Sequence, residues 1–260
     1  MRNFDELPGS WNISTELHFK YWEKFFSNNK FDDNKKQLIR EIATLSYFID
    51  NIIDKKKSPE EQTNILHSIS NLEENPELFD KEAENLRKNV VKKLQEMSIL
   101  DDFKHLLGEL LSTTENLKKI TNIDDLWQET IKEGELFAKL ILLISEKNED
   151  FSAFIIKNTA LANVADSLFD AKDDFKKELQ TIPPSLKFYK TGTSILLKGF
   201  LKNNVPLKIK IYSLYSVLKI YLNSVRLRRT ILKKYPIITK IIYGKNIPDD
   251  LNKVIKYNFK

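Results

Sequence analysis

The chain has 260 residues and no cysteine, which excludes disulfides, thiolate metal ligands and a cysteine nucleophile, and its three histidines (His18, His67, His105) are too scattered to suggest an imidazole metal site. The overall charge of +5 is unevenly divided: residues 184–260 hold 17 Lys and Arg against Asp249 and Asp250, a net +15, leaving −10 on residues 1–183. With 41% hydrophobic residues, only 6 Gly and 8 Pro, no signal peptide and no apolar run near the roughly 20 residues that span a bilayer, the composition points to one soluble, cytoplasmic, all-α domain with a sizeable core.

Apolar residues recur at helical spacing almost throughout. The first strong helix is expected from Gln37 to Asp54, entered from Asp32-Asp33-Asn34. Ser58 as N-cap, Pro59 at the first helical position and Glu61 two residues further on start the next. A third starts at Pro76 and runs through Leu86, Val90, Val91 and Leu94; a fourth opens at Asp101-Asp102. Asp124-Asp125 caps a long apolar helix through Leu136, Leu140 and Leu143, and another runs from Phe151 to about Glu178, before Pro183-Pro184. Two or three more lie between Thr191 and Lys234, with a tail helix after Pro248. No repeat, heptad seam or strand alternation breaks the pattern, so residues 1–260 read as one bundle of nine or ten helices.

Two carboxylate stripes stand out. In Tyr47-Phe48-Ile49-Asp50-Asn51-Ile52-Ile53-Asp54, Asp50 and Asp54 share a helix face among apolar neighbours. Asp166, Asp170 and Asp174 form an i, i+4, i+8 stripe on the later helix. Acids four apart on a solvated helix are common, but two stripes in apolar settings carry a cost that a divalent cation would relieve. Mg²⁺ takes one or two carboxylates, keeps waters and completes its shell with phosphate oxygens. The basic residues 186–260 suit an anionic membrane or a diphosphate, while no nucleic-acid-binding motif accompanies them. Residues 195–245 mix Lys and Arg with Ile, Leu and Tyr, as a surface-lying helix would, and as a buried helix with snorkelling lysines would too.

At these stripes the chain resembles the squalene/phytoene synthase family. Trp22-Glu23-Lys24-Phe25-Phe26, Leu38-Ile39-Arg40 and Ala43 to Phe48 resemble the family's approach to its first aspartate motif, and Asp50 to Asp54 stand at that motif. Ser58-Pro59-Glu60-Glu61 and Asn75-Pro76-Glu77-Leu78-Phe79 look like the helix entries that follow. Asp125 to Leu142 is similar to the central helix with small residues beside the pocket, here Gly134 and Ala138, and Asp170-Ala171-Lys172-Asp173-Asp174 matches the second motif, nine residues before Pro183. The likeness spans about residues 20–185 and looks most like the bacterial hydroxysqualene/squalene branch. The chain departs from the family at polar positions: Tyr47 stands for an Arg, Asn163 and Asp166 for Gln and Asn, Glu129 for a Tyr, Lys119-Ile120 for Arg-Tyr, and Leu179 and Thr181 for Arg and Tyr.

The resemblance implies an isoprenoid-synthase-type bundle with the two stripes opposed across a buried pocket. It implies Mg²⁺ (or Mn²⁺) held by Asp50, Asp54, Asp170 and Asp174, with Asp166, Asn51 and Asp173 as further ligands. Two farnesyl or geranylgeranyl diphosphates would be condensed head-to-head, lined by Tyr47, Phe48, Phe137 and Phe169, with Lys172, Lys176 and Lys177 near the diphosphate. Two alternatives are cyclisation of a single prenyl diphosphate and a catalytically silent relative that binds prenyl lipid, since several polar partners are replaced. Peripheral contact with the inner membrane face fits the greasy substrates. No glycine-rich dinucleotide fingerprint is present, so no nicotinamide cofactor is expected.

Overall fold

The computed structural model describes residues 19, 32–53, 59–73, 78–145, 149–176 and 178–201. Among them every regular element is a helix: α1 (Asp33–Ile53), α2 (Pro59–Ser70), α3 (Lys81–Glu96), α4 (Leu100–Leu117), α5 (Ile123–Leu142), α6 (Glu149–Lys176) and α7 (Leu186–Leu201). The all-α expectation holds. The elements expected around Trp22–Phe26 and beyond Leu201, and the Ser58 and Asn75–Glu77 entries, lie outside the described residues.

Local chemistry moves several helix starts from their expected places. α3 starts at Lys81 rather than Pro76, because the Asp80 carboxylate accepts from the amides of Glu82 (3.1 Å) and Ala83 (2.9 Å). α5 is capped by Asn122, whose side chain accepts from Asp124 N at 2.8 Å; Asp124 and Asp125 instead fill the first turn, where the helix dipole favours acids. α7 begins at Leu186, earlier than expected.

Among the described residues, no helix end relies on glycine. α2, α3 and α6 are each followed by a left-handed residue of another type: Leu72, Ser98 and Glu178. Each end carries a backbone bond spanning five residues, Glu73 N to Ser68 O, Ile99 N to Leu94 O and Leu179 N to Asp174 O. The four described glycines stand inside helices instead.

The helices close around two apolar clusters. The larger takes residues from α1 to α4, the C-terminal part of α5 (Ala138, Leu140) with Ile144, and the start of α6 (Phe154, Ile155). The smaller joins Leu126 and Trp127 of α5, Val164, Leu168 and Ala171 of α6, then Ile182 and Phe188. Trp127 and Phe188 meet with ring centroids 4.7 Å apart. On the α1–α3 side, Lys93 Nζ reaches both Glu41 oxygens at 2.7 and 2.8 Å. Arg87 donates two bonds to Glu84 and one to the Leu72 carbonyl, tying α3 to the end of α2 and holding the Glu84 carboxyl below the usual range.

α5 and α6 are the most extensively packed pair, flanked by α4 on one side and α7 on the other. Their crossing depends on Gly134: a Cβ there would stand 2.7 Å from Ala160 Cα and 2.9 Å from the Thr159 oxygen, both backbone atoms. The resemblance placed Gly134 and Ala138 beside a pocket. Here Gly134 faces the backbone of α6 and serves the crossing, while Ala138 is fully buried in the larger cluster. Gly192 seats α7 in the same way, since a Cβ there would lie 2.5 Å from a Trp127 ring atom and 2.7 Å from a Leu168 methyl.

Alanine normally favours a helix over glycine by about 1 kcal/mol. Gly134→Ala is nonetheless expected to destabilise the protein by about 1–2 kcal/mol, since backbone must move to admit one methyl. Urea unfolding measures this, and a variant as stable as the parent would contradict the crossing.

Candidate functional site

α6 carries different chemistry on opposite sides. At 100° per residue, Leu161, Val164, Leu168 and Ala171 share one face, towards α7 and Trp127. On the other side, about 135° round the helix, lie Asn163, Asp166, Asp170 and Asp174. Asp166 and Asp170 are exposed and Asp174 is half-buried, and each takes part in a polar or electrostatic interaction. The burial cost expected of this stripe therefore does not fall on Asp166 or Asp170; water carries most of their charge, and the repulsion between them is a few tenths of a kcal/mol. Lys172 is exposed too, but about 160° round the helix from Asp170, on the side that faces α7.

The first stripe is only partly in view. Asp50 and Asn51 are in the last turn of α1, flanked by buried Ile49, Ile52 and Ile53, as its apolar setting led us to expect. The side chains of Asp50, Asn51, Phe169 and Asp173, and the whole of Asp54 and Lys177, lie outside the described residues. Tyr47 and Phe48 are half-buried, with ring centroids 6.0 Å apart, and Phe48 packs on the larger cluster. Phe137 is half-buried on α5. α1 packs on α2 and α3, and α6 on α5 and α7; the two aspartate-bearing helices are not among the closely packed pairs. Among the described residues, no three His, Cys, Asp or Glu side chains come together as a metal cluster.

Sequence reasoning missed a polar layer between the two apolar clusters. Asn163 donates one amide hydrogen to the Thr130 carbonyl (2.8 Å) and the other to Glu133 Oε2 (2.8 Å). Thr114 of α4 donates to Glu133 Oε1 at 2.6 Å. One carboxyl thus ties α4, α5 and α6 together, directly beside the Gly134 crossing. Burial pushes the Glu133 carboxyl above the usual range, with a smaller push from Glu129; the bonds from Thr114 and Asn163, and the Lys118 charge, pull the other way. Among the described residues, three buried polar side-chain atoms, Thr113 Oγ1, Trp127 Nε1 and Asn158 Nδ2, find no hydrogen-bond partner. The sequence did hold a signal: Glu133 falls three residues after Thr130 and seven after Leu126, on the buried stripe of an apolar helix.

The positions that depart from the family resemblance have ordinary structural partners here. Asn163 is committed to α5 by both amide hydrogens. Glu129 is half-buried and pairs with Lys132 at 3.2 Å. Thr181 donates to the Ile120 carbonyl, joining the loop before α7 to the loop before α5. Leu179 is half-buried. Comparison of the chain with family models, curated proteins and solved structures finds no match.

Carboxylate oxygens are the donor type that hard cations such as Mg²⁺ take, but one helix cannot by itself enclose an ion.

A pH test addresses Glu133. Its folded-state pKa is raised, so between the usual carboxylate range and that raised value the folded protein keeps a proton the unfolded chain has released. Stability from this group is full below that window and is lost as pH rises through it. The advantage of the parent over Glu133→Gln, measured by urea unfolding across a pH series, should shrink as pH rises and then level off. Parallel stability curves for the two proteins would show that Glu133 titrates like an exposed carboxylate.

Proposed function

We propose that the chain is a Mg²⁺-dependent synthase that condenses two prenyl diphosphates head-to-head. The observation that carries this reading is the α6 stripe: Asp166, Asp170 and Asp174 at successive turns, accessible at Asp166 and Asp170, on a helix whose position is fixed by Gly134 and by the Asn163–Glu133 bond. The sequence resemblance over residues 20–185 supports it and supplies the opposed pair, Asp50 and Asp54.

Bound Mg²⁺ would offset the charge that develops on a departing diphosphate. Asp170 and Asp174, with Asp50 and Asp54, would hold that ion, and Asp166 would add a further oxygen at the same face. Lys172, expected near the diphosphate from the sequence, is exposed but stands on the α7 side of the helix, so it would meet a diphosphate only from beyond the carboxylate face. Tyr47, Phe48 and Phe137 would present aromatic faces to the isoprenoid chain and to an allylic cation. Rigid placement of α6 matters because carboxylates on a helix free to slide would lose their aim.

A silent, prenyl-lipid-binding relative is favoured by a specific observation as well. Glu129, Leu179 and Thr181 replace the Tyr, Arg and Tyr of the resemblance, and Glu129 and Thr181 are engaged in contacts within the bundle. Cyclisation of one prenyl diphosphate would use the same carboxylates.

Purified protein incubated with Mg²⁺ and farnesyl or geranylgeranyl diphosphate should yield a C30 or C40 hydrocarbon or alcohol by mass spectrometry. Asp170→Asn and Asp174→Asn should each lower turnover by about a hundredfold or more while leaving the circular dichroism melt unchanged. A C15 or C20 product would identify a cyclase. No consumption by folded protein would favour the silent relative, and unchanged turnover in both variants would remove the metal assignment.

A further inference from the structure

α7 is apolar on two faces. Its inner face, with Phe188 and Gly192, packs on Trp127 and Leu168. On the opposite side Leu186, Leu197 and Leu201 are 85%, 57% and 71% exposed. At 100° per residue these three leucines fall within an arc of about 60°. Lys190 lies in that arc and Lys187 and Lys198 beside it, all exposed, and α7 contains no acidic residue. The antiparallel register, with Gly192 on Leu168 and Gly199 on Leu161, brings the start of α7 to the end of α6, where Phe175 is 41% exposed and Lys172 and Lys176 are exposed.

A helix that only capped α5 and α6 would turn polar residues outward. Leucines set among lysines, with no acid to oppose them, have the composition of a helix lying in a bilayer interface. We infer that the outward face of α7, with the adjoining end of α6, is a docking surface for an anionic lipid bilayer. The net +15 of residues 184–260 complements anionic headgroups, and the leucines supply the apolar burial that charge alone would not need. No helix among the described residues is long and apolar enough to cross a membrane, so α7 lies on the surface. The carboxylate stripe faces away from α7 on the other side of α6, so docking leaves it accessible. Of residues 195–245, where sequence suggested membrane contact, the part beyond Leu201 is outside the described residues.

The test uses the full chain and does not depend on turnover: cosedimentation with phosphatidylcholine vesicles, with and without phosphatidylglycerol, at low and high salt. The parent should bind only the phosphatidylglycerol vesicles, less so as salt rises. Replacing Lys187, Lys190 and Lys198 by Gln should weaken binding on the order of a hundredfold. The basic residues beyond Leu201 would attract such vesicles by charge alone, so the leucines decide: Leu186→Gln/Leu197→Gln should weaken binding about tenfold with an unchanged melting temperature. Three results would overturn the inference: no binding by the parent, parental binding by the leucine variant, or a lowered melting temperature in that variant, which would show the leucines packed within the protein.

Discussion

The bundle depends on the backbone contact between α5 and α6. Gly134 lets α6 approach until Ala160 and Thr159 occupy the space a side chain would need. At that distance the neighbouring side chains have little freedom, and Glu133, one residue away, is held between Thr114 and Asn163. An apolar contact alone would tolerate small slides of one helix along the other. The hydrogen bonds do not, because a shift of a few ångströms leaves an inward-facing carboxyl and amide without partners, which costs more than the bonds contribute when made. Close approach and register are therefore set at the same point.

This arrangement explains why the structure has two apolar clusters. Above the crossing, Ala138, Leu140 and Phe154 feed the larger cluster; below it, Trp127, Val164 and Leu168 feed the smaller. The layer between them holds Thr130, Glu133 and Asn163, joined by Thr114 of α4. Such a layer lowers stability relative to an all-leucine interior, and burial pushes the Glu133 carboxyl towards its neutral form. In return α6 has one position, and the carboxylates that follow Asn163 along the helix inherit it. Asp166 and Asp170, being exposed, need no buried counter-charge of their own, and the fixing is done one or two turns earlier.

Much of the helical pattern was legible because it rests on local rules. The apolar period located α1, α4, α5 and α6 to within a few residues, and Pro59 marked the first residue of α2. Errors arose where two signals competed. Pro76 is a good helix starter, but Asp80 satisfies two amides and the helix begins there. Asp124-Asp125 suits a cap or a first turn equally, and Asn122 decides between them. Of the site, the α6 stripe was legible, since i+4 spacing needs only a helix. Glu133 was not, because its character comes from Thr114 and Asn163, 19 and 30 residues away in sequence. Gly134 stood out as small for a reason, but only the position of α6 shows that the reason is helix contact.

Glycine contacts also separate the two surfaces of the α6–α7 pair. Gly192 and Gly199 bring α7 against Leu168 and Leu161, which turns the aspartates of α6 away from α7 and turns the leucines of α7 away from the core. The chain's charge divides along this line, with carboxylates on one side and lysines among leucines on the other. A diphosphate-bearing isoprenoid has the complementary division, an anionic head that needs cations and a tail that avoids water. An accessible carboxylate stripe could hold the cations for the head. With α7 resting on lipid, that stripe would stay in water on the opposite side of the helix pair. Neither surface requires the other for folding, so substitutions on one should leave the other intact, and the two properties can be separated.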